Sequence, residues 1–306
     1  MNDTKIFVIY HKKSKIFKSD IFEPFQTGCE DTDIDLGFLK DNSGDNISYK
    51  NKNYGELTSW YWVLKNYLPN NPETKYIGFC HFRRFLDFSK RPTPGVSFKQ
   101  KLENKFTKGF NKITSKTVQN VIQDYDVILP TKEDFTKILD YKDFQDITVY
   151  KQYGHPRKDM DLLIDIIKEE YPEYCNAMNK VMEDHSMYCC LTFVMKKHLF
   201  EELAQWMFEI LKKLEEKSDW STYTSYIEIR TPAYLAERFF NIWLYKKIEE
   251  GNIKILERDS YLLVDKIDRR IKDRIKHFRR KIFQVNREKK ILRLFGIDLI
   301  QGDKKC

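Results

Sequence analysis

Residues 76–85 read YIGFCHFRRF, and the reading of this stretch decides the fold. Tyr76, Ile77, Gly78, Phe79 and Cys80 form a short apolar run suited to the middle of a sheet covered on both faces, where unpaired charge is expensive. His81, Arg83 and Arg84 follow at once, which puts them at the end of that strand. In open α/β sheets ligands bind in the crevice beyond the carboxyl ends of the strands. The stretch therefore predicts a layered α/β domain with a cationic site at one edge of its sheet.

Working outward, strand-like runs recur at 5–10 (KIFVIY), 126–130 (DVILP) and 187–195 (MYCCLTFVM). Helical spacing of apolar residues is expected over about 54–67, 158–170, 197–216 and 231–249. Alternation of this kind indicates an α/β domain. Residues 86–118, with Pro92, Pro94, Gly95 and then a lysine-rich stretch, read as an excursion over the active face, not as a domain boundary. With 306 residues, 41% of them hydrophobic, the chain can bury one large core, so a main domain at 1–256 and a tail at 257–306 are expected.

The segment MNDTKIFVIYHKK has only five consecutive apolar residues, and no run of 18 occurs, so a cytoplasmic protein is expected. Six scattered cysteines without a C-x-x-C pair fit reduced thiols and speak against a zinc site. Of the net charge of +8, residues 266–293 carry a local +10, thirteen basic against three acidic residues, which leaves −2 for the rest. Ile267, Ile271, Ile275, Phe278 and Ile282 make one apolar stripe on a helix that is otherwise mostly cationic. Such a basic amphipathic helical tail suits peripheral contact with an anionic inner membrane, and equally a helix docked on the domain. A nucleic-acid partner is not expected, because no basic face or motif precedes the tail.

Asn53 and Glu56 give the helix at 54–67 a capping-box-like start, and capping accounts for Glu56 without a role in binding. Upstream, GDNISYKN places Asp45, Asn46, Ser48, Lys50 and Asn51 in one loop. These groups can meet a sugar or a phosphate, or bond their own backbone.

The order GDNIS-x-KN-x-x-Y-x-ELT-x-x-YW-x-x-KN followed by YIGFCHFRRF resembles bacterial capsular and exopolysaccharide biosynthesis glycosyltransferases of domain-of-unknown-function family 4422. The likeness is dense over 42–86. It continues through FQTG at Phe25, DVILP at Asp126, QYGHPRKDMDL at Gln152, MYCCLTFVM at Met187 and RTPAYLAERFFNIWL at Arg230. Leu191 stands where the family suggests Asn, and Ala233 where it suggests Gly.

The resemblance implies a GT-A-like, Rossmann-type central sheet, a nucleotide-sugar donor such as UDP-galactofuranose, and a lipid-linked glycan acceptor. His81, Arg83 and Arg84 occupy the place where such enzymes commonly carry an Asp-x-Asp metal site. Guanidinium groups bind phosphate oxygens bidentately and stay charged, so a metal-independent hexosyltransferase is expected, with no cofactor. A divalent metal is the open alternative. The acidic doublets at Asp31–Asp35 and Asp124–Asp126 lack the strand context of a metal site. His11 and Lys12, directly after the first strand, are donor-side candidates, with Glu56 and the five residues of the 45–51 loop beside them. Asp184 and Glu237 are the candidate bases for the acceptor hydroxyl, and Tyr153, His155, Arg230 and Arg238 the acceptor-side candidates. A non-catalytic carbohydrate-binding or assembly protein is the alternative reading.

Overall fold

The computed structural model describes residues 3–88, 98–110, 112–137, 149, 157–251, 253–266, 283–286, 291–294 and 297–301. In chain order the strands are β1 Thr4–Tyr10, β2 Phe22–Gln26, β3 Leu39–Lys40, β4 Tyr76–His81, β5 Arg84–Leu86, β6 Phe98–Leu102, β7 Val127–Pro130, β8 Glu133–Asp134, β9 Ser186–Met187, β10 Phe193–Lys196, β11 Ile255–Arg258 and β12 Ser260–Val264. β13 Phe283–Asn286, β14 Ile291–Leu294 and β15 Ile297–Gln301 follow. The α-helices are α1 Asn51–Tyr54, α2 Leu57–Trp62, α3 Leu68–Asn70, α4 Glu103–Phe110, α5 Ser115–Ile122, α6 Arg157–Glu170, α7 Cys175–Glu183, α8 Lys197–Lys217, α9 Tyr226–Ile229 and α10 Thr231–Glu249.

The main sheet runs β11-β7-β10-β4-β1-β2-β3, with β5, β12 and β6 attached beyond β4. β4, β1, β2 and β3 are parallel neighbours, and so are β7 and β11. β10 is inserted between β4 and β7 and runs against both. It fits closely because of Gly78. A methyl group there would meet the Phe193 carbonyl oxygen and Val194 Cγ2 at 2.8 Å, so the approach needs a residue without Cβ.

Both faces of this sheet are covered, as the apolar runs in β1 and β4 require. Phe7, Ile9, Ile77, Phe79 and Phe193 point into a core made with α2, α6, α7, α8 and α10. Ile6, Val8, Tyr10, Cys80 and Val194 point the other way, toward Phe17, Phe22, Phe85 and the helices α4 and α5. Trp60 is fully buried and packs on Phe79 at 5.2 Å and Phe193 at 5.0 Å, so α2 is pinned to the sheet one turn after Glu56. Burying a side chain of this size contributes about 2–3 kcal/mol.

The α/β architecture stands as expected, and several boundaries differ. The helix expected at 54–67 begins at Asn51, breaks at Gly55–Glu56, and contains a π-helical stretch at Val63–Tyr67. The strand expected at 187–195 is two strands separated by a turn in which Cys190 (φ 65°) and Leu191 (φ 41°) are left-handed. In the described part of the 86–118 excursion Phe106, Phe110, Val118 and Ile122 pack in the same core as Tyr10 and Phe82. The division expected at 256/257 falls within β11, and β12 also pairs within the main sheet. Residues 283–301 were expected in a helical tail, but their described parts are the strands of an antiparallel sheet, β13-β14-β15. The apolar stripe from Ile267 to Ile282 lies outside the described residues.

Candidate active site

The chain leaves β1 toward β2 on one side, while β4 pairs on the other, so the crevice expected of such sheets lies beyond the carboxyl ends of β1 and β4. Both strands deliver basic residues to it. His11 and Lys12 follow Tyr10; His81 ends β4, and Arg84 opens β5 directly opposite His81. Between them Phe82 is buried, and its ring gathers three of these groups. The His11 ring meets it edge-on at 5.4 Å, the Arg83 guanidinium lies 5.2 Å from its centroid, and Lys12 Nζ lies at 5.9 Å. Burial, then Lys12, His81, Arg83 and Arg230, lowers the pKa of His11. Anionic groups entering here meet a concentrated positive field.

The two arginines have different surroundings. Arg83 is exposed at the mouth of the crevice. Arg84 is half-buried and acts electrostatically on Cys190 and Glu237.

Glu56 is where the local signal misleads. Gly55 adopts φ 55°, ψ −134°, which ends α1, and Glu56 stands before α2 without capping it. Its carboxylate turns into the crevice, with Oε1 3.4 Å from His81 Nε2 and Oε2 4.0 Å from Arg230 Nη2. The capping role expected for Glu56 is therefore replaced by an ion-pair role. A side chain at Gly55 would strike the Arg230 guanidinium at 2.5 Å, so glycine keeps this junction open. Burial would raise the Glu56 pKa, but His81, hydrogen bonding and Arg230 outweigh it and hold the value at about 2.

Since the folded value lies below the ordinary 4.5, the stability from this carboxylate is fully present above that pH. It is lost as the pH falls from 4.5 toward about 2. Thermal melts of wild type and Glu56→Gln across that range should show a shallower acid decline in the variant; matching slopes would remove the ion pair from the account.

The left-handed turn joins the two sides of the site. His81 Nε2 lies 3.2 Å from the Cys190 carbonyl oxygen, and because the neighbouring Glu56 also only accepts, Nε2 carries a proton. The Cys190 N–H donates to Glu237 Oε1 at 3.0 Å, and Thr192 Oγ1 donates to the Cys190 carbonyl. Burial pushes the Cys190 thiol up to about 12, so it stays protonated at neutral pH and serves through its backbone. Burial also raises the Glu237 pKa, against Arg238 and the Cys190 N–H, which lower it. Glu237 is thus a carboxylate whose basicity is raised at the edge of a cationic crevice.

Asp184 is differently placed. Its Oδ1 accepts from the Ser186 N–H and hydroxyl at 3.1 Å. Its Oδ2 accepts from Tyr245 at 2.9 Å and pairs with Lys132 at 3.2 Å. Burial would raise its pKa, but Lys132, Tyr245 and Ser186 bring it down, so it is a weak base. Arg238 does not face an acceptor. It is 1% exposed, donates to the Tyr234 carbonyl and lies 3.8 Å from Glu237. Arg230 does line the crevice, between Glu56 and the Tyr226 ring. Tyr153 and His155 lie outside the described residues.

The polar loop serves as scaffold. Asp41, fully buried and without a signal in the sequence, accepts from Thr58, Ser48 and Thr27 hydroxyls and from the N–H groups of Gly28 and Cys29. Asn51 donates to Thr27, Gly55 and Thr58. Lys50 pairs with Glu215 at 2.5 Å, Asp45 accepts from Tyr61, and Asn46 bonds the backbone of Gly44 and Ser48. The donor-side roles expected for Ser48 and Asn51 are thus displaced: both satisfy the buried network that carries Gly55 and Glu56. One member of each acidic run carries an ion pair. Asp126, at the opposite edge of the sheet, pairs with Lys196, and Asp35 pairs with Lys40. Among the described residues no three His, Cys, Asp or Glu side chains converge as metal ligands.

The model of the family described as "Domain of unknown function (DUF4422)" matches residues 5–248. A solved structure titled "WbbM bifunctional glycosytransferase apo structure" superposes with a TM-score of 0.73 and 30% sequence identity over 86% of this chain. The match takes in 45% of that chain, so the present sequence spans less than half of its length. Among curated proteins none matches.

Proposed function

Since the chain belongs to the DUF4422 family, we propose that the crevice at β1 and β4 is the active site of a glycosyltransferase of GT-A type. The structural likeness to a glycosyltransferase supports this, and one observation carries it: His11, Lys12, Arg83 and Arg230 surround the crevice at the switch point, with the basic carboxylate of Glu237 facing it. The donor is a nucleotide sugar, with UDP-galactofuranose the first to test. Its diphosphate lies against Arg83, Lys12 and His11, and the guanidinium charge takes the part of a divalent ion in steadying the leaving group.

In the transfer step the acceptor hydroxyl oxygen forms a bond to the anomeric carbon as the bond to the diphosphate oxygen breaks. The nucleoside diphosphate leaves with that electron pair, and the hydroxyl proton passes to Glu237. Arg84, beside Glu237, offsets the charge that develops between base and leaving group. The His81–Glu56–Arg230 chain fixes the cations in place.

The acceptor is the glycan of a lipid-linked surface polysaccharide, capsular, exopolysaccharide or O-antigen. The enzyme works as a peripheral protein at the cytoplasmic face, with the basic stretch 266–293 touching anionic lipid. Among the described residues no helix is long and apolar enough to cross a membrane. Liposome sedimentation of a variant lacking 266–306 checks the lipid contact, and an unchanged pellet fraction would exclude it.

The deciding experiment incubates the protein with a panel of UDP, GDP and CMP sugars, with and without EDTA, and measures free nucleotide. Slow donor cleavage that EDTA leaves unchanged is expected. An intact donor throughout would point to a sugar-binding protein instead, and loss of cleavage in EDTA would restore the metal.

A further inference from the structure

Among the described residues Tyr226 is the most exposed large apolar side chain, at 71%. It opens α9, a four-residue helix too short to hold by itself. Three contacts hold it nevertheless. The Glu228 N–H donates to Ser225 Oγ at 3.2 Å, the Ser225 N–H donates to Glu228 Oε2 at 3.0 Å, and Asn53 Nδ2 donates to the Ile229 carbonyl at 2.8 Å. The helix is thus held where the Tyr226 ring stands in solvent and forgoes the burial an aromatic side chain ordinarily finds. The Arg230 guanidinium lies 5.4 Å from the ring centroid, and the same guanidinium reaches Glu56 in the crevice. An aromatic surface therefore continues directly into the site.

From this arrangement we infer that Tyr226 is a stacking platform for one pyranose ring of the acceptor glycan, with Arg230 bonding that sugar's hydroxyls. A pyranose with several C–H bonds on one face supplies an apolar, electropositive surface to the aromatic face and hydroxyls around its rim. A planar ring beside a guanidinium fork matches both. Naming the occupant an acceptor rests on the transferase reading above; the sugar site itself does not.

The test is saturation-transfer NMR on the full chain with methyl β-D-galactopyranoside, whose C3, C4 and C5 hydrogens share one face. Wild type and Tyr226→Phe should transfer saturation mainly to those hydrogens, and Tyr226→Ala should lose about fivefold of it. UDP binding measured on the same samples should stay constant, which shows that the exposed substitution leaves the fold intact. A signal retained in Tyr226→Ala, no signal in wild type, or saturation spread evenly over the ring would each overturn the platform. If the donor panel fails while the Tyr226 dependence holds, the site binds sugar and the transferase reading alone is lost.

Discussion

Glu237→Gln is expected to slow sugar transfer by about 10²- to 10⁴-fold, the usual contribution of a positioned general base. Its pKa is raised chiefly by burial; the Cys190 N–H holds Oε1 at 3.0 Å, and Oε2, which lies 3.8 Å from Arg238 Nη1 and so beyond hydrogen-bond distance, is the oxygen assigned to receive the proton. Glutamine keeps the shape and accepts the same N–H, but it cannot take the proton. Donor affinity should therefore remain near the wild-type value while turnover collapses. Asp184→Asn is the comparison, since Lys132, Tyr245 and Ser186 already consume that carboxylate. If Asp184→Asn abolished transfer and Glu237→Gln did not, the base assignment would have to be exchanged.

The second large effect is expected on binding. Arg83→Glu should weaken nucleotide-diphosphate affinity by about 10- to 100-fold, because charge-assisted contacts contribute about 1.5–3 kcal/mol and the variant adds repulsion. Arg83→Lys should fall between, as it keeps the charge and loses the planar fork. Arg84→Glu should act mainly on turnover, since Arg84 acts electrostatically on Cys190 and Glu237. Calorimetric titration with UDP across the three variants checks this division. Equal affinities for wild type and Arg83→Glu would sink the guanidinium account of donor binding.

Much of the scaffold was legible because burial on two faces leaves continuous apolar runs, such as IFVIY and YIGFC, and places the next charged residue at a strand end. That reading places His11, Lys12, His81, Arg83 and Arg84 at or just beyond strand ends, and the structure puts them there. Glu56 was misread because Asn53-x-x-Glu56 is a sound local signal that tertiary contacts override: Gly55 breaks the helix and His81 takes the carboxylate. The break inside MYCCLTFVM was hidden because Cys and Leu do not announce left-handed backbone. The asparagine suggested at 191 by resemblance would have announced it, since short polar side chains tolerate that conformation. Asp41 left no trace either, because a buried acid is made acceptable by donors from residues 27, 28, 29, 48 and 58, which only the folded chain assembles. Arg238 was ambiguous for another reason: α10 is buried on nearly every side, so its sequence pattern does not show which way a cation points.

The insertion of β10 between β4 and β7 also sets an order of assembly. Residues 193–196 bridge segments made more than a hundred and more than sixty positions earlier. A ribosome must therefore release roughly two thirds of the polypeptide before the middle of the sheet can zip shut. Pairing over such sequence distances is slow, and until it occurs the edges of two apolar strands stay open to wrong partners. Chaperone capture during synthesis would protect them, and fragments ending before residue 193 would lack the piece that closes the sheet.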